Sequence, residues 1–243
     1  MSAAEHDSEQ RTSSASEGAR QAGSFFGRRK GHKLRAHQAD LIEHLLPHLA
    51  LNIAGPPPDV AELFDSARSA LRLEIGFGGG EHLVAEAMTF PDTGFIGCEP
   101  YVNGMAKILT QIEAHNIGNI RLLAGDAAEL LAWLPPQSLA RIDLIHPDPW
   151  PKRRHWKRRF VQDATIAAMA RVVKAGGEFR FASDIDDYAN WTLAHMLRSP
   201  DFEWIAEHAD DWRLPWAGFT KTRYGQKAER EGRKATYLRF RRV

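Results

Sequence analysis

The sequence predicts an α/β protein with a Rossmann-like, doubly wound sheet of seven strands that is mostly parallel and has helices on both faces. From residue 70 onward, apolar strand-like runs alternate with helix-like runs at intervals of roughly 20 to 30 residues, as in βαβ units. A glycine-rich turn follows the first strand, where open α/β sheets bind ligands. The last two strand-like runs predict a C-terminal antiparallel hairpin that closes the sheet.

The individual elements follow from the pattern in chain order. A lead-in helix over 38–49 comes first, because its apolar residues share one helical face and the prolines at 56–58 end it. The alternation then predicts parallel strands at 71–75, 94–98, 120–124, 141–146 and 177–183. It predicts helices near 80–89, 101–115, 126–133, 160–174 and 187–198. Two final strands at 202–207 and 235–241 flank a basic segment that we expect to be irregular.

Composition limits the class of protein. Residues 1–27 are predicted to be a disordered tail, since they are polar and lack apolar periodicity, and residues 28–243 to form one domain. No apolar run approaches the roughly 18 to 20 residues of a membrane span, and the N-terminus has no signal-peptide core. The single cysteine, Cys98, excludes an intrachain disulfide, and no zinc-ligand spacing occurs. We expect a cytoplasmic protein without membrane or metal, as a monomer or weak homodimer.

Positive charge is concentrated in three segments although the formal net charge is only +1. The segments 28–35, 152–159 and 221–242 hold 20 of the 32 Lys and Arg residues and only two acidic residues. A solvated face would mix its signs, whereas a phosphate backbone needs clustered cations to displace its counterions. The distribution therefore predicts a nucleic-acid partner and does not distinguish RNA from DNA.

The sequence LEIGFGGG at 73–80 runs an apolar strand into a turn with Gly76, Gly78 and Gly80. A dinucleotide-binding turn requires a glycine where this chain has Glu81. That carboxylate would also repel a pyrophosphate at the N-terminus of the following helix. The pattern therefore favours a cofactor without phosphates over a nicotinamide dinucleotide.

Acidic residues follow the strand ends in an order that suits S-adenosylmethionine, which presents a sulfonium, an ammonium, a ribose diol and an adenine. Glu74 lies close to the expected methionine moiety, and Glu99 ends the second strand, where a carboxylate can accept both ribose hydroxyls. Asp126, followed by Ala127, comes after the third strand and can accept from the adenine amino group. A helix N-cap is the competing interpretation of Asp126.

The fourth strand ends in His146-Pro147-Asp148-Pro149-Trp150 and continues into a run of six cations. Flanking prolines hold Asp148 in a rigid loop where this fold presents the transferable methyl group, and Trp150 offers a face for a flipped base. A proline-rich turn around a buried tryptophan is the competing interpretation. The candidate contacts to RNA phosphates are Arg153, Arg154, Lys157, Arg158 and Arg159.

These motifs resemble the bacterial tRNA (guanine-N7-)-methyltransferase family over about residues 28–243. The resemblance is carried by LEIGFGGG, HPDPWPKRRHWKRR, the ASD run at 182–184 and TRYGQKAEREGR at 222–233. It implies a class I methyltransferase fold and methylation of guanine N7 at position 46 in the tRNA variable loop. It also implies that Glu74, Glu99, Asp126 and Asp148 contact S-adenosylmethionine, with Asp148 as the catalytic acid. The substrate contacts implied are Lys152, Asp184, Thr222, Arg223, Tyr224 and Gly225.

Two positions depart from the family pattern. His146 stands where relatives commonly have an aromatic residue, and Gly225 stands where many have glutamate. The missing carboxylate leaves the role of position 225 open.

The chemistry of guanine N7 agrees with the residues present. N7 carries a lone pair and no proton, so methyl transfer needs an in-line approach and charge stabilisation but no general base. Carbon-5 pyrimidine methylation, which requires a catalytic thiolate, is disfavoured because no candidate cysteine accompanies the Asp148 loop. Three alternatives stay open: an amino-group methyltransferase with the same cofactor pocket, a tRNA-binding module without activity, and, disfavoured by Glu81, a nicotinamide-dependent oxidoreductase.

Overall fold

The computed structural model describes residues 31–57 and 59–243. The strands are β1 (Ala70–Ile75), β2 (Thr93–Cys98), β3 (Ile120–Leu123), β4 (Leu139–Ile145), β5 (Val173–Ser183), β6 (Phe202–Trp204) and β7 (Thr236–Arg242). The helices are α1 (Ala36–His44), α2 (Leu46–Leu49), α3 (Glu81–Thr89), α4 (Val102–His115), α5 (Ala127–Trp133), α6 (Asp163–Val172), α7 (Asp186–Met196), α8 (Asp210–Arg213) and α9 (Arg223–Arg230). Two 3-10 helices cover Val60–Leu63 and Arg153–Arg158. The predicted tail over residues 1–27 lies outside the described residues.

The seven strands form one sheet in the order β3-β2-β1-β4-β5-β7-β6. The first five strands pair in parallel, and β7 lies antiparallel between β5 and β6. The predicted mostly parallel sheet with an antiparallel C-terminal pair is confirmed. The strand order reverses between β1 and β4, and in such sheets ligands bind at the carboxyl ends of the strands on either side of this point.

The core lies on both faces of the sheet. Leu73, Ile96 and Ile142 are fully buried at its centre. Helix α4 packs so closely on the glycine turn that a Cβ on Gly80 would lie 2.6 Å from a side-chain carbon of Ile108. The turn is thereby fixed against the helix that follows β2. Within residues 31–57 and 59–243, no helix is long and apolar enough to cross a membrane.

The C-terminal region differs from the sequence prediction. The segment between the last two strands, which the sequence predicts to be irregular, contains α8 and α9, and β6 is shorter than predicted. Thr222 begins α9 as its N-cap, its Oγ1 accepting a hydrogen bond from the backbone N–H of Gly225 at 3.2 Å. Only Ala228 of this helix is buried. Arg223, Lys227 and Arg230 repeat at helical spacing on one face, but a helix with a single buried residue has no apolar run that predicts it.

Candidate functional site

The glycine turn between β1 and α3 has a left-handed backbone. Its three alternating glycines have φ angles of 69° at Gly76, 58° at Gly78 and 83° at Gly80, which other residues adopt only with strain. The N–H of Gly76 donates to the carbonyl of Cys98 at 2.8 Å and ties the turn to the end of β2. A Cβ on Gly76 would meet no heavy atom within 4 Å among the described residues, so the turn borders open space.

Glu99 follows β2 and fastens to this turn. One carboxylate oxygen accepts from the N–H of Gly78 at 2.8 Å and the other from the N–H of Tyr101 at 3.0 Å. Glu99 is 7 % exposed, and this burial raises the pKa of its carboxyl, which the two backbone donors oppose. The negative charge of Asp148 raises the same pKa further and the positive charge of Arg223 lowers it, so both residues lie within electrostatic reach of Glu99.

Glu74 lies beneath the turn, on β1, with His82 of α3. The His82 ring nitrogen Nδ1 is 2.8 Å from the carboxylate of Glu74, and both side chains are buried. Burial opposes protonation of His82, but the charge and hydrogen bond of Glu74 outweigh it and raise the pKa of His82 to about 9. The sequence predicted direct contact between Glu74 and a cofactor. The structure places one oxygen of the Glu74 carboxylate against His82, which sequence analysis did not single out, and contact between Glu74 and a cofactor stays a prediction.

Asp126 begins helix α5 as its N-cap. Its Oδ1 accepts from the N–H of Ala128 at 2.8 Å, and Ala127 is buried beside it. The structure therefore shows the helix N-cap that was the competing interpretation of Asp126. Contact with an adenine stays a prediction, and Oδ2 is the oxygen that the cap does not use.

Asp148 lies in an unusual loop after β4. His146 and Trp150, on either side of it, have φ angles of 48° and 42°, a conformation that costs energy for residues other than glycine. The N–H of His146 donates to the carbonyl of Ala182 at 2.7 Å, which anchors the start of the loop on β5. Asp148 is solvent-exposed, and partial desolvation by the surrounding protein raises the pKa of its carboxyl. The loop therefore presents a carboxylate at the strand-reversal crevice.

The basic run after this loop divides into exposed and buried cations. Lys152, Arg153, Arg154 and Lys157 are exposed, as the prediction of phosphate contacts requires. Arg158 is half-buried, with its guanidinium 5.0 Å from the ring centroid of Trp150. The tryptophan predicted to stack on a base is thus already in contact with an arginine.

Arg159 departs from the prediction. Its side chain is 0 % exposed, and its Nε donates to the carbonyl of Pro149 at 3.0 Å. A second guanidinium nitrogen binds the carboxylate of Asp187. The prediction that Arg159 contacts an RNA phosphate is wrong for this structure, because no face of the guanidinium reaches solvent. Sequence position within a basic run carries no information on burial, which depends here on aromatic residues supplied by helix α7.

The first turn of α9 covers the glycine turn. A Cβ on Gly78 would lie 3.5 Å from a ring carbon of Tyr224, which is half exposed. The neighbouring Arg223 has its guanidinium 4.8 Å from the same ring. The structure thus brings the predicted substrate segment at 222–225 onto the predicted cofactor turn, about 150 residues earlier in the chain.

A chain of polar contacts connects β4, β5 and the residues before β7. His146 Nδ1 is 3.0 Å from Asp184, and the other oxygen of Asp184 accepts from Arg233 at 2.7 Å. Burial lowers the pKa of His146, although its contact with Asp184 opposes the shift. A Cβ on Gly225 would lie 3.1 Å from His146 Nε2, so the two departures from the family pattern are in contact. Arg233 was only one of many cations in its segment, and no sequence signal distinguished it.

No described group of three or more His, Cys, Asp or Glu side chains could hold a metal ion. The chemistry of the crevice is that of carboxylates: Glu99 beside the glycine turn, Asp126 at the end of β3 and Asp148 after β4. Such a set attracts cationic and hydroxyl-bearing groups and repels phosphates.

The architecture and this crevice define a class I methyltransferase. A family model described as "Putative methyltransferase" matches residues 68–238. Among solved structures, the 16S rRNA methyltransferase KamB aligns with a TM-score of 0.54 at 16 % identity over 78 % of this chain and 95 % of that chain. TrmN from Thermus thermophilus aligns with a TM-score of 0.51 at 14 % identity over 75 % of this chain and 47 % of that chain. At these identities the likeness shows the fold alone.

Curated relatives define the family more narrowly. The tRNA (guanine-N(7)-)-methyltransferase of Bradyrhizobium diazoefficiens is 78 % identical over 219 residues, which are 90 % of this chain and 93 % of that protein. The protein of the same name from Nitrobacter hamburgensis is 75 % identical over 221 residues, 90 % of this chain and 87 % of that one. The chain belongs to the tRNA (guanine-N(7)-)-methyltransferase family.

Proposed function

We propose that this protein transfers the methyl group of S-adenosylmethionine to N7 of a guanine in tRNA, at position 46 of the variable loop. The observation that carries the proposal is the juxtaposition of an acidic crevice with exposed cations. Asp148 lies at the crevice, and the exposed run begins at Lys152, four residues later. A tRNA bound through its phosphates along the run would have a base within reach of the crevice. The relatives' names support guanine N7 of tRNA as the substrate, and the family resemblance implies position 46.

The residues present fit S-adenosylmethionine. The turn at Gly76 borders open space, which a Cβ would partly fill, and Glu81 at the start of α3 disfavours a phosphate there. Glu99 would hold the ribose diol, since each of its oxygens uses one lone pair on a backbone N–H and keeps another. Asp126 would accept from the adenine amino group. The bound cofactor supplies an electrophilic methyl group on a sulfonium.

The protein's part in the reaction is positioning and charge stabilisation. Guanine N7 attacks through its own lone pair, so no residue has to remove a proton before the methyl group is transferred. Asp148 stabilises the positive charge that develops on the purine. Asp184, held by His146 and Arg233, would accept hydrogen bonds from the base edge that carries N–H groups. Helix α9 lies over the glycine turn through Tyr224 and forms one side of the space beside Gly78.

The proposal assigns the nucleic-acid backbone to exposed cations. Arg153, Arg154 and Lys157 contact phosphates, with Lys152 close enough to Asp148 to reach the target nucleotide as well. Arg158, whose guanidinium lies against the ring of Trp150, adds positive charge beside that ring for phosphate binding. With tRNA as the substrate, the protein acts in the cytoplasm.

The test is incubation of purified protein with unmodified tRNA transcripts and methyl-labelled S-adenosylmethionine, followed by nucleoside analysis. We expect labelled 7-methylguanosine from a transcript with guanine at position 46 and none from a transcript with adenine there. Label in N²-methylguanosine or N⁶-methyladenosine would instead identify an amino-group methyltransferase. Saturable tRNA binding with no label in RNA would identify a binding module.

A further inference from the structure

The six cations of residues 152–159 differ in what surrounds them. Four are exposed, whereas Arg159, the last of the run, is completely enclosed. A buried guanidinium is costly unless its charge and donors are satisfied. The contacts that satisfy Arg159 therefore show which parts of the protein depend on it.

Three aromatic rings surround the Arg159 guanidinium. Its central carbon lies 4.9 Å from the ring centroid of Trp156, 5.0 Å from that of Tyr188 and 5.2 Å from that of Trp191. Tyr188 and Trp191 belong to α7, and Trp156 to the 3-10 helix. Arginine stacks on aromatic faces in this way because its charge is planar and weakly hydrated.

The hydrogen bonds of Arg159 run in two directions. On one side the guanidinium binds the carboxylate of Asp187, whose side chain is 55 % exposed. On the other side Nε donates to the carbonyl of Pro149 at 3.0 Å. Arg159 thus connects a fixed helix to the residue directly after Asp148.

This connection acts on a segment whose prolines leave few backbone N–H groups to form hydrogen bonds. Pro149 has no N–H to donate. Trp150 has a left-handed φ angle of 42°, which costs energy because the residue is not a glycine. The carbonyl of Pro149 is therefore a point at which an outside donor can fix the direction of the chain. The turn that carries Arg159 is itself braced, since Gln162 Nε2 donates to the carbonyl of Trp156 at 2.9 Å.

We infer that Arg159 is a positioning residue for the Asp148 loop, which sets the geometry of methyl transfer and takes no part in phosphate binding. This rests on the proposed function, because it assigns Asp148 to the reaction. The basic run accordingly has two functions: its exposed cations bind RNA, and its last residue holds the loop that those cations adjoin.

Lysine at position 159 tests the inference most directly. Arg159→Lys keeps the positive charge but cannot donate to Pro149 and Asp187 at once while stacking between three rings. We expect the single-turnover methylation rate at saturating tRNA and cofactor to fall by about 10- to 100-fold, as when reacting groups are displaced by about 1 Å. The dissociation constant of S-adenosylmethionine and the salt dependence of tRNA binding should stay at their wild-type values.

Two further variants make the result interpretable. Arg154→Gln, in the exposed part of the same run, should reduce the salt dependence of tRNA binding. Arg198→Lys, an exposed arginine after α7, should match the wild-type protein in every measurement. If Arg159→Lys does not fold, Asp187→Asn removes the charged partner from the surface side and should lower the single-turnover rate several-fold.

Hydrogen exchange of the peptide covering residues 146–158 gives a reading that does not depend on activity. We expect faster exchange there in Arg159→Lys and Asp187→Asn than in the wild-type protein. Wild-type exchange together with a wild-type rate in these variants would overturn the inference, as would a reduced salt dependence in Arg159→Lys. A wild-type protein that forms no 7-methylguanosine contradicts the proposed function instead, and the exchange measurement still decides whether Arg159 holds the loop.

Discussion

Replacing Glu99 by glutamine tests the centre of the crevice with little change in shape. The carboxylate accepts one hydrogen bond from the N–H of Gly78 and one from that of Tyr101. A glutamine has a single acceptor oxygen, so its amide nitrogen must face one of these two donors. The substitution therefore removes a charge, loses one hydrogen bond and leaves one backbone N–H without an acceptor.

The size of the effect follows from these losses. A hydrogen bond to a charged group contributes about 1.5–3 kcal/mol, and a buried unsatisfied donor costs about 1–3 kcal/mol. Burial, which raises the pKa of Glu99, already costs part of the benefit of the charge, so we expect the free energy of unfolding to fall by about 2–3 kcal/mol. The ribose diol loses a charge-assisted partner too, and S-adenosylmethionine binding should weaken by about 1.5–3 kcal/mol, or roughly 10- to 150-fold.

Isothermal titration calorimetry with S-adenosylmethionine measures the effect on cofactor affinity. Thermal unfolding without the cofactor measures the effect on stability. Glu203→Gln, on the exposed face of β6, is the control for removing a negative charge far from the glycine turn. Glu99→Gln with wild-type cofactor affinity would refute the assignment of this carboxylate to the cofactor. An unchanged unfolding temperature would refute the argument from the two backbone donors.

Three further predictions concern the loop, the buried pair and position 225. Asp148→Asn should lower the single-turnover methylation rate far more than tRNA affinity, and equal losses in both would make Asp148 a binding residue only. The pKa of His82, raised to about 9, means that its pairing with Glu74 stabilises the fold fully below pH 6.5 and that this stabilisation is lost as the pH rises through 9. Unfolding midpoints from pH 6 to 10 should show this loss in the wild-type protein and not in His82→Gln. Gly225→Ala gains about 0.5–1 kcal/mol from helix propensity but places a Cβ 3.1 Å from His146 Nε2. We expect the free energy of unfolding to stay within about 1 kcal/mol of wild type, because the two effects oppose each other, and the single-turnover methylation rate to fall, because displaced His146 also contacts Asp184. Denaturant unfolding and the single-turnover assay measure the two, and a wild-type rate would show that His146 yields without moving Asp184.

The sequence predicted the parallel part of the fold well because its signals are local. Each strand from β1 to β5 contains apolar residues at consecutive or alternating positions next to a turn, and β2, with all six residues buried, stands out from its neighbours. Helix α9 was missed for the opposite reason. Its residues are mostly polar or charged and only Ala228 is buried, so the helix shows no apolar run, although its charged residues repeat at helical spacing.

The site was predictable in its residue types and less so in their surroundings. Glu99 and Asp148 could be placed at strand ends, because the order of elements determines which ends meet. The burial of Arg159 depends on packing against helix α7, whose Asp187 lies 28 positions later in the chain. Glu74 and His82 are only eight positions apart, but their pairing depends on how the glycine turn brings α3 back onto β1, which the spacing of residues does not specify. The same holds for Arg233, which reaches Asp184 across 49 positions.

Under the proposed function, the contact between Tyr224 and the glycine turn predicts an order of events in each catalytic cycle. Helix α9 belongs to the basic C-terminal segment, yet it forms one wall of the space beside Gly78. If tRNA is bound to that segment, it keeps helix α9 in place. The cofactor that has lost its methyl group must then leave past this helix. The cofactor is then exchanged only after the methylated RNA has dissociated. In a kinetic experiment, the first turnover would be faster than the turnovers that follow it.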